Sequence, residues 1–185
     1  KHIIFYNNIK KKKKEFKLII SAIKSKDLSD KRSVIHPETI KNLISEGIEV
    51  IFESGIGDGI HVDDKIFIDL GAKAVSRENC FSDAEIILTP SPIDVHESKL
   101  IASGKTLMGL VNPFENQDLL KTFSESNINL VSMEFVPRIT RAQKMDVLSS
   151  QANLAGYVAV IESSALLSSA MPMMMTAAGT LKPAR

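Results

Sequence analysis

The stretch from Phe135 to Tyr157 gathers the polar side chains best suited to holding a ligand. Thr140 and Gln143 have the spacing of a capping box just after Pro137, which predicts a helix beginning there. At about 100° per residue, Gln143, Asp146, Ser149, Ser150, Asn153 and Tyr157 then fall within an arc of roughly 120°. Met145, Leu148, Ala152, Ala155 and Ala159 form an apolar stripe beside that arc, and Val147, Leu154, Val158 and Ile161 form a second. A helix apolar over so much of its girth is predicted to be mostly buried, which turns its polar arc toward a cavity, a partner or a ligand. Solvated faces usually carry Lys, Glu and Arg. This one carries short neutral hydrogen-bonding groups and a single carboxylate. From spacing alone, an ordinary solvated face with an N-cap and an orienting site both remain open.

Other residue types with chemical potential are scattered. His2, His36, His61 and His96 have no metal-type spacing with one another or with a cysteine, so no metal site is expected. Cys80 is the only cysteine, which excludes an internal disulfide and fits a reducing compartment. It reads as a plain thiol. No Gly-x-Ser-x-Gly nucleophile turn occurs. Asp63 and Asp64 read as a helix cap. Gly55, Gly57 and Gly59 fall short of a dinucleotide-binding turn, because the third glycine comes one residue early and no long helix follows. They read as a strand-to-helix turn. Arg32 is either a surface charge in the polar loop after the first strand or a fork of donors for a planar carboxylate.

The elements that must position these groups alternate. Apolar runs predict strands at Phe16–Ile23, Ile48–Phe52, Ala72–Val75, Glu85–Leu88, Thr106–Val111 and Ile128–Met133. Helices are predicted at Pro37–Glu46, Asp63–Leu70, Glu97–Ala102 and Glu115–Ser124, several with Pro or Asp at the start and Gly beyond the end. Such alternation indicates an α/β fold with a doubly wound, mostly parallel sheet, Rossmann- or flavodoxin-like. The long helix from about Arg141 leaves this domain and ends near Met171. The expected organisation is a basic tail over residues 1–15, an α/β domain over 16–136, and a linking helix and loop over 137–185. Lys10 to Lys14 form a lysine run that reads as a solvated tail. The chain has 185 residues, 44% hydrophobic, and a net charge of +1, which gives no reason to expect nucleic acid. Residues 163–181 lack charges, but their serines, threonines and Pro172 argue against a membrane helix. Met171, Met173, Met174 and Met175 suit an adaptable packing or subunit interface.

The segment from Pro137 to Tyr157 resembles the signature of the NAD(H)-binding domain of proton-translocating NAD(P) transhydrogenases, with alanine dehydrogenases as looser relatives. Asp30 to Thr39, Val50 to Gly57, Asp69 to Ala72, Ala84 to Leu88 and Thr176 to Thr180 agree in order and spacing. The resemblance runs from about Phe16 to Arg185. It implies the N-terminal part of the NAD(H)-binding alpha subunit, acting in hydride transfer between NADH and NADP+ coupled to proton translocation. It implies cofactor-holding roles for Arg138, Asp146 and Ser149. Arg138 and Ser149 would hold the carboxamide, Asp146 would orient Arg138, and Gln143 would reach toward a second nucleotide. NADP(H) would sit on a partner domain, and the proton path in a membrane domain. A homodimer, located by its partners on the cytoplasmic or mitochondrial-matrix face of a membrane, is the implied assembly. The glycine-rich turn of the family's second domain is absent from these residues, so the chain alone is expected to be inactive and to bind NADH weakly. In alanine dehydrogenases the arginine matching Arg32 holds the substrate carboxylate, and a lysine follows the strand that matches Ala84–Leu88. Here that place reads Thr89, Pro90, Ser91, Pro92. An alanine dehydrogenase-like oxidoreductase and a non-catalytic dimerising fragment remain the alternatives.

Overall fold

A computed structural model describes residues 18–184. The lysine run and the predicted strand start at Phe16 lie outside the described residues. The chain divides into two compact units between Glu134 and Phe135.

In the first unit, strands β1 (Ile19–Ala22), β2 (Glu49–Glu53), β3 (Lys73–Val75), β4 (Ile86–Thr89), β5 (Thr106–Gly109) and β6 (Asn129–Ser132) form one sheet. Their order is β3-β2-β1-β4-β5-β6, and every pairing is parallel. This is the doubly wound arrangement, with its topological reversal between β1 and β4. Ile20 of β1 lies between Val50 of β2 and Ile86 of β4. Because successive side chains on a strand face opposite sides, β2 feeds two core layers. Val50 and Phe52 join Ala22, Ile40 and Phe67 on one face, while Ile51 joins Ile23, Phe81, Ile87, Leu107 and Phe123 on the other. Phe52 and Phe67 meet edge-on with ring centroids 5.3 Å apart. Full burial of each such ring stabilises the fold by about 1.5–3 kcal/mol.

The crossovers follow local capping chemistry. Helix α1 (Pro37–Ser45) starts on its proline. Helix α2 (Asp64–Asp69) starts where the Asp63 carboxylate accepts the Lys65 N–H, so the expected Asp63 cap is formed. Helix α3 (Arg77–Asp83) is absent from the elements that the sequence predicts. It has one apolar pair, Cys80 and Phe81, and no repeating stripe, and Ser76 caps it by accepting the Asn79 N–H. Helix α4 (Val95–Ser98) begins earlier than the predicted Glu97, because Asp94 and Glu97 form a reciprocal capping box that fixes the start. Helix α5 (Gln117–Glu125) completes the unit.

Cys80 is fully buried, and burial, with the Glu53 carboxylate adding, pushes its thiol up to about 12. The thiolate is the reactive form. Native protein at neutral pH is therefore expected to leave Cys80 unlabelled by dithiobis-nitrobenzoate until denaturant is added. Stoichiometric labelling before unfolding would contradict that burial.

The second unit differs from its prediction in four ways. Residues Thr140–Met145 form a 3-10 turn, and the α-helix, α6 (Val147–Leu166), begins only afterwards. It stops at Leu166 rather than near Met171. Beyond it, the residues expected as a loop form an antiparallel hairpin of β7 (Met174–Thr176) and β8 (Gly179–Leu181). The expected burial of the helix is not met within this chain, since no residue of α6 is buried. Its apolar girth is real but uncovered here.

Candidate functional site

The entry to α6 is organised by Asp146. The predicted capping box is not formed: Ile139 precedes the 3-10 turn, and no side chain caps that turn. Asp146 instead closes the turn, its N–H donating to the Gln143 carbonyl at 3.3 Å. It then caps α6. One carboxylate oxygen accepts the Ser149 N–H at 2.9 Å and the other accepts the Ser149 hydroxyl at 2.6 Å. Its carbonyl accepts both the N–H and the hydroxyl of Ser150, at 3.3 and 3.1 Å. Aspartate suits this place because its oxygens satisfy first-turn donors and its charge opposes the positive helix end. The Ser149 hydroxyl and N–H hold the Asp146 carboxyl below its ordinary range; desolvation opposes them, and the nearby Arg138 charge helps.

Arg138, Gln143, Asp146, Ser149 and Ser150 together line an open hollow of about 380 Å³. All four residues singled out by resemblance therefore come to one place. The route is not the predicted one. A 3-10 turn, with about three residues per turn, brings Gln143 round, rather than steps of 100° along an α-helix. Asn153 and Tyr157, further along the predicted arc, do not line the hollow, and Tyr157 is exposed. Arg138 places its charge near Asp146. Its guanidinium and the Gln143 amide have no hydrogen-bond partner among the described residues. Ser150 belongs to the predicted arc, but the sequence assigns it no role.

The first unit has its own polar edge, at the C-terminal ends of the strands. Arg32 makes a two-pronged ion pair with Asp30, at 2.8 and 2.7 Å, and reaches the Pro90 carbonyl at 3.3 Å. An internal carboxylate thus occupies the Nε–Nη2 edge of the guanidinium, and Nη1 has no hydrogen-bond partner among the described residues. The Thr89 hydroxyl donates to the Ser91 carbonyl at 2.5 Å, and the Ser91 hydroxyl donates to that of Ser25 at 3.0 Å. These bonds tie the loop after β4 to the loop after β1, across the place where doubly wound sheets usually admit a ligand. The turn after β2 is equally committed. The Gly55 N–H donates to both oxygens of Asp64, at 3.0 and 2.8 Å. A Cβ on Gly57 would stand 2.0 Å from the Val62 carbonyl. This glycine allows close chain packing, consistent with a plain strand-to-helix turn.

Sequence reasoning misses Arg77. It donates to Glu97 at 2.6 Å, to Glu53 at 2.7 Å and to the Lys24 carbonyl at 2.9 Å. Its position at the start of an unpredicted helix hides it. Among the described residues, no group of three or more His, Cys, Asp or Glu could hold a metal ion.

Residues 23–155 match the family described as alanine dehydrogenase/PNT, N-terminal domain. The chain is 41% identical over 167 residues to an NAD(P) transhydrogenase subunit alpha protein of Rickettsia prowazekii, covering 88% of this chain and 44% of that protein. It is 38% identical over 172 residues to the corresponding subunit alpha protein of Rhodospirillum rubrum, covering 90% of this chain and 45% of that one. The solved transhydrogenase from Sinorhizobium meliloti superposes with a TM-score of 0.82 at 37% identity, over 90% of this chain and 48% of that one. The chain thus spans somewhat less than half the length of these relatives.

Proposed function

We propose that this chain, which belongs to the alanine dehydrogenase/PNT N-terminal domain family, is the N-terminal portion of the NAD(H)-binding component of a proton-translocating NAD(P) transhydrogenase. The complete enzyme exchanges hydride between NADH and NADP+. NADP(H) is held on a partner domain, and the proton path lies in a membrane domain. The observation that carries this reading is the hollow at the start of α6, where Arg138, Gln143, Asp146 and Ser149 meet. Its donor set fits a nicotinamide carboxamide. The Arg138 guanidinium suits the carbonyl oxygen, and the Ser149 oxygen suits the amide. The nicotinamide supplies the hydride chemistry, so the chain's own task is orientation. In this reading Asp146 fixes Ser149 and the field around Arg138, and Gln143 reaches toward the second nucleotide.

The same reading accounts for the uncovered apolar surface. Leu154, Tyr157, Val160 and Leu166 of α6 and Met175 of the hairpin are exposed, a run that suits burial against a second copy of the chain. No helix among the described residues is long and apolar enough to cross a membrane, so attachment to the cytoplasmic or matrix face is assigned to partner domains. Amino-acid chemistry is disfavoured because Thr89, Pro90, Ser91 and Pro92 stand where the lysine would be, and Asp30 takes the Nε–Nη2 edge of Arg32. Isolated, the 185-residue chain is proposed to be inactive.

The test is a pair of assays on the complete enzyme in its membrane. NADH-dependent reduction of NADP+ is expected, with no alanine-dependent reduction of NAD+ above background. Alanine oxidation at a rate comparable to the nucleotide exchange would sink the reading.

A further inference from the structure

We infer that Ser149 and Ser150 form an acceptor-only pair, set by Asp146, which makes the site select a primary amide over a carboxylate, with Ser150 as a specificity-determining residue. The inference rests on the nicotinamide reading above and adds to it the reason that the amide is chosen.

The protons on the two hydroxyls decide what each can offer a ligand. A serine hydroxyl has one proton to donate and two lone pairs to accept with. The Ser149 proton is committed to the Asp146 carboxylate at 2.6 Å. The Ser150 proton is committed to the Asp146 carbonyl at 3.1 Å. Neither hydroxyl has a proton left for a ligand, yet both side chains line the hollow. They offer lone pairs alone. The remaining groups on the hollow with no hydrogen-bond partner among the described residues are the Arg138 guanidinium, which only donates, and the Gln143 amide, which does both. A group with one carbonyl oxygen and one NH2 satisfies such a site, its oxygen toward Arg138 and its NH2 toward the serine oxygens. A carboxylate in the same pose would gain the Arg138 charge, but it would set an oxygen against two acceptors and beside the Asp146 carboxylate. Arg138, Gln143, Ser149 and Ser150 are exposed in this open hollow, so the discrimination acts once a bound ring shuts out water and leaves like polar groups facing each other unpaired.

Ser150 is the less obvious member. Its hydroxyl bonds a helix carbonyl four residues back, which in an isolated helix would be unremarkable. Here the bond has a consequence for recognition, because it fixes the hydroxyl proton away from the hollow.

The test uses the complete enzyme and competition between NADH and the reduced nicotinic acid dinucleotide, which differs by a carboxylate in place of the amide. Wild type is expected to bind NADH far more tightly. Ser150→Ala should narrow that preference about fivefold to tenfold, as expected for one hydrogen bond. Ser150→Thr keeps the hydroxyl and should hold the preference near wild type. Asp146→Asn turns an acceptor on Ser149 into a donor, frees the Ser149 proton and should narrow the preference further. If wild type does not bind NADH, the functional reading fails. If NADH binds but Ser150→Ala leaves the ratio unchanged, this inference alone fails and the reading stands.

Discussion

Replacing Asp146 with asparagine in the complete enzyme is expected to slow hydride transfer on the order of 100-fold while weakening NADH binding only several-fold. The asymmetry follows from what Asp146 does. Its carboxylate holds the Ser149 hydroxyl and N–H by two bonds, so its replacement shifts a neighbour that faces the ring in the proposed site. A small misalignment of two reacting rings lowers the rate steeply, whereas loss of one contact lowers affinity little. Gln143→Asn, which shortens the reach by one methylene, should act in the same direction. Arg138→Ala should reduce both quantities, since it removes the site's guanidinium. Stopped-flow single-turnover rates beside equilibrium NADH titrations separate these effects. If Asp146→Asn and Gln143→Asn leave the transfer rate within about twofold of wild type, the residues are structural. The pH dependence has a definite sign. The Asp146 carboxyl is held below its ordinary value of 3.8. Its capping contribution is therefore fully present above that value and disappears as pH falls through the lower, folded-state value. Asp146 should produce no change in transfer rate between about pH 5 and 8.

Arg77→Ala is expected to destabilise the first unit by about 3–5 kcal/mol, the cost typical of stripping one partner from a buried ion network. Burial is the largest influence on the Arg77 charge and acts against it, but bonds and fields from Glu97 and Glu53 together outweigh it and raise its value. The side chains of Arg77, Glu53 and Glu97 are 18%, 14% and 8% exposed, so water cannot replace the lost guanidinium well. Glu97 retains Lys26 at 3.0 Å, and Glu53 retains the Lys24 N–H at 2.8 Å, which places the effect at the lower end of that range. The Arg77 guanidinium also lies 5.7 Å over the Phe81 ring, so an alanine removes packing as well as charge. Arg77→Lys keeps the charge but loses the fork and should fall between the two. The contrasting control is Lys121→Ala. Its pair with Glu125 is 75% and 67% exposed, and such pairs contribute at most about 1 kcal/mol. Urea titrations followed by circular dichroism give both numbers. An Arg77→Ala midpoint indistinguishable from that of Lys121→Ala would show that the network is not stabilising.

The sheet is legible because its signals are local. Runs such as Glu49–Glu53 and Ile86–Thr89 are apolar and short, and prolines and glycines punctuate them. Their alternation with helices leaves a parallel sheet as the simplest arrangement. Helix α3 is not legible, because its two core residues, Cys80 and Phe81, make no periodic pattern over seven residues. A sheet face supplied by distant strands is what buries them. The start of α4 could have been read from Asp94 and Glu97, whose spacing is that of a capping box.

The sequence by itself, through its resemblance, singled out the residues that line the candidate hollow. Arg138, Gln143, Asp146 and Ser149 lie within 12 positions of one another, so one short segment carries them all, but its conformation decides whether they meet. Only the tertiary structure decided how. Thr140–Met145 adopts a 3-10 turn rather than helix, so the cap moves to Asp146, and both serine protons turn inward onto it. Periodicity could not show this, because a capping box and an aspartate cap six residues later are both favourable locally. The Arg32 fork is similar. Its pairing with Asp30 was near enough in sequence to be possible, but the loop geometry, with Arg32 also reaching the Pro90 carbonyl, decided that an internal carboxylate takes its Nε–Nη2 edge.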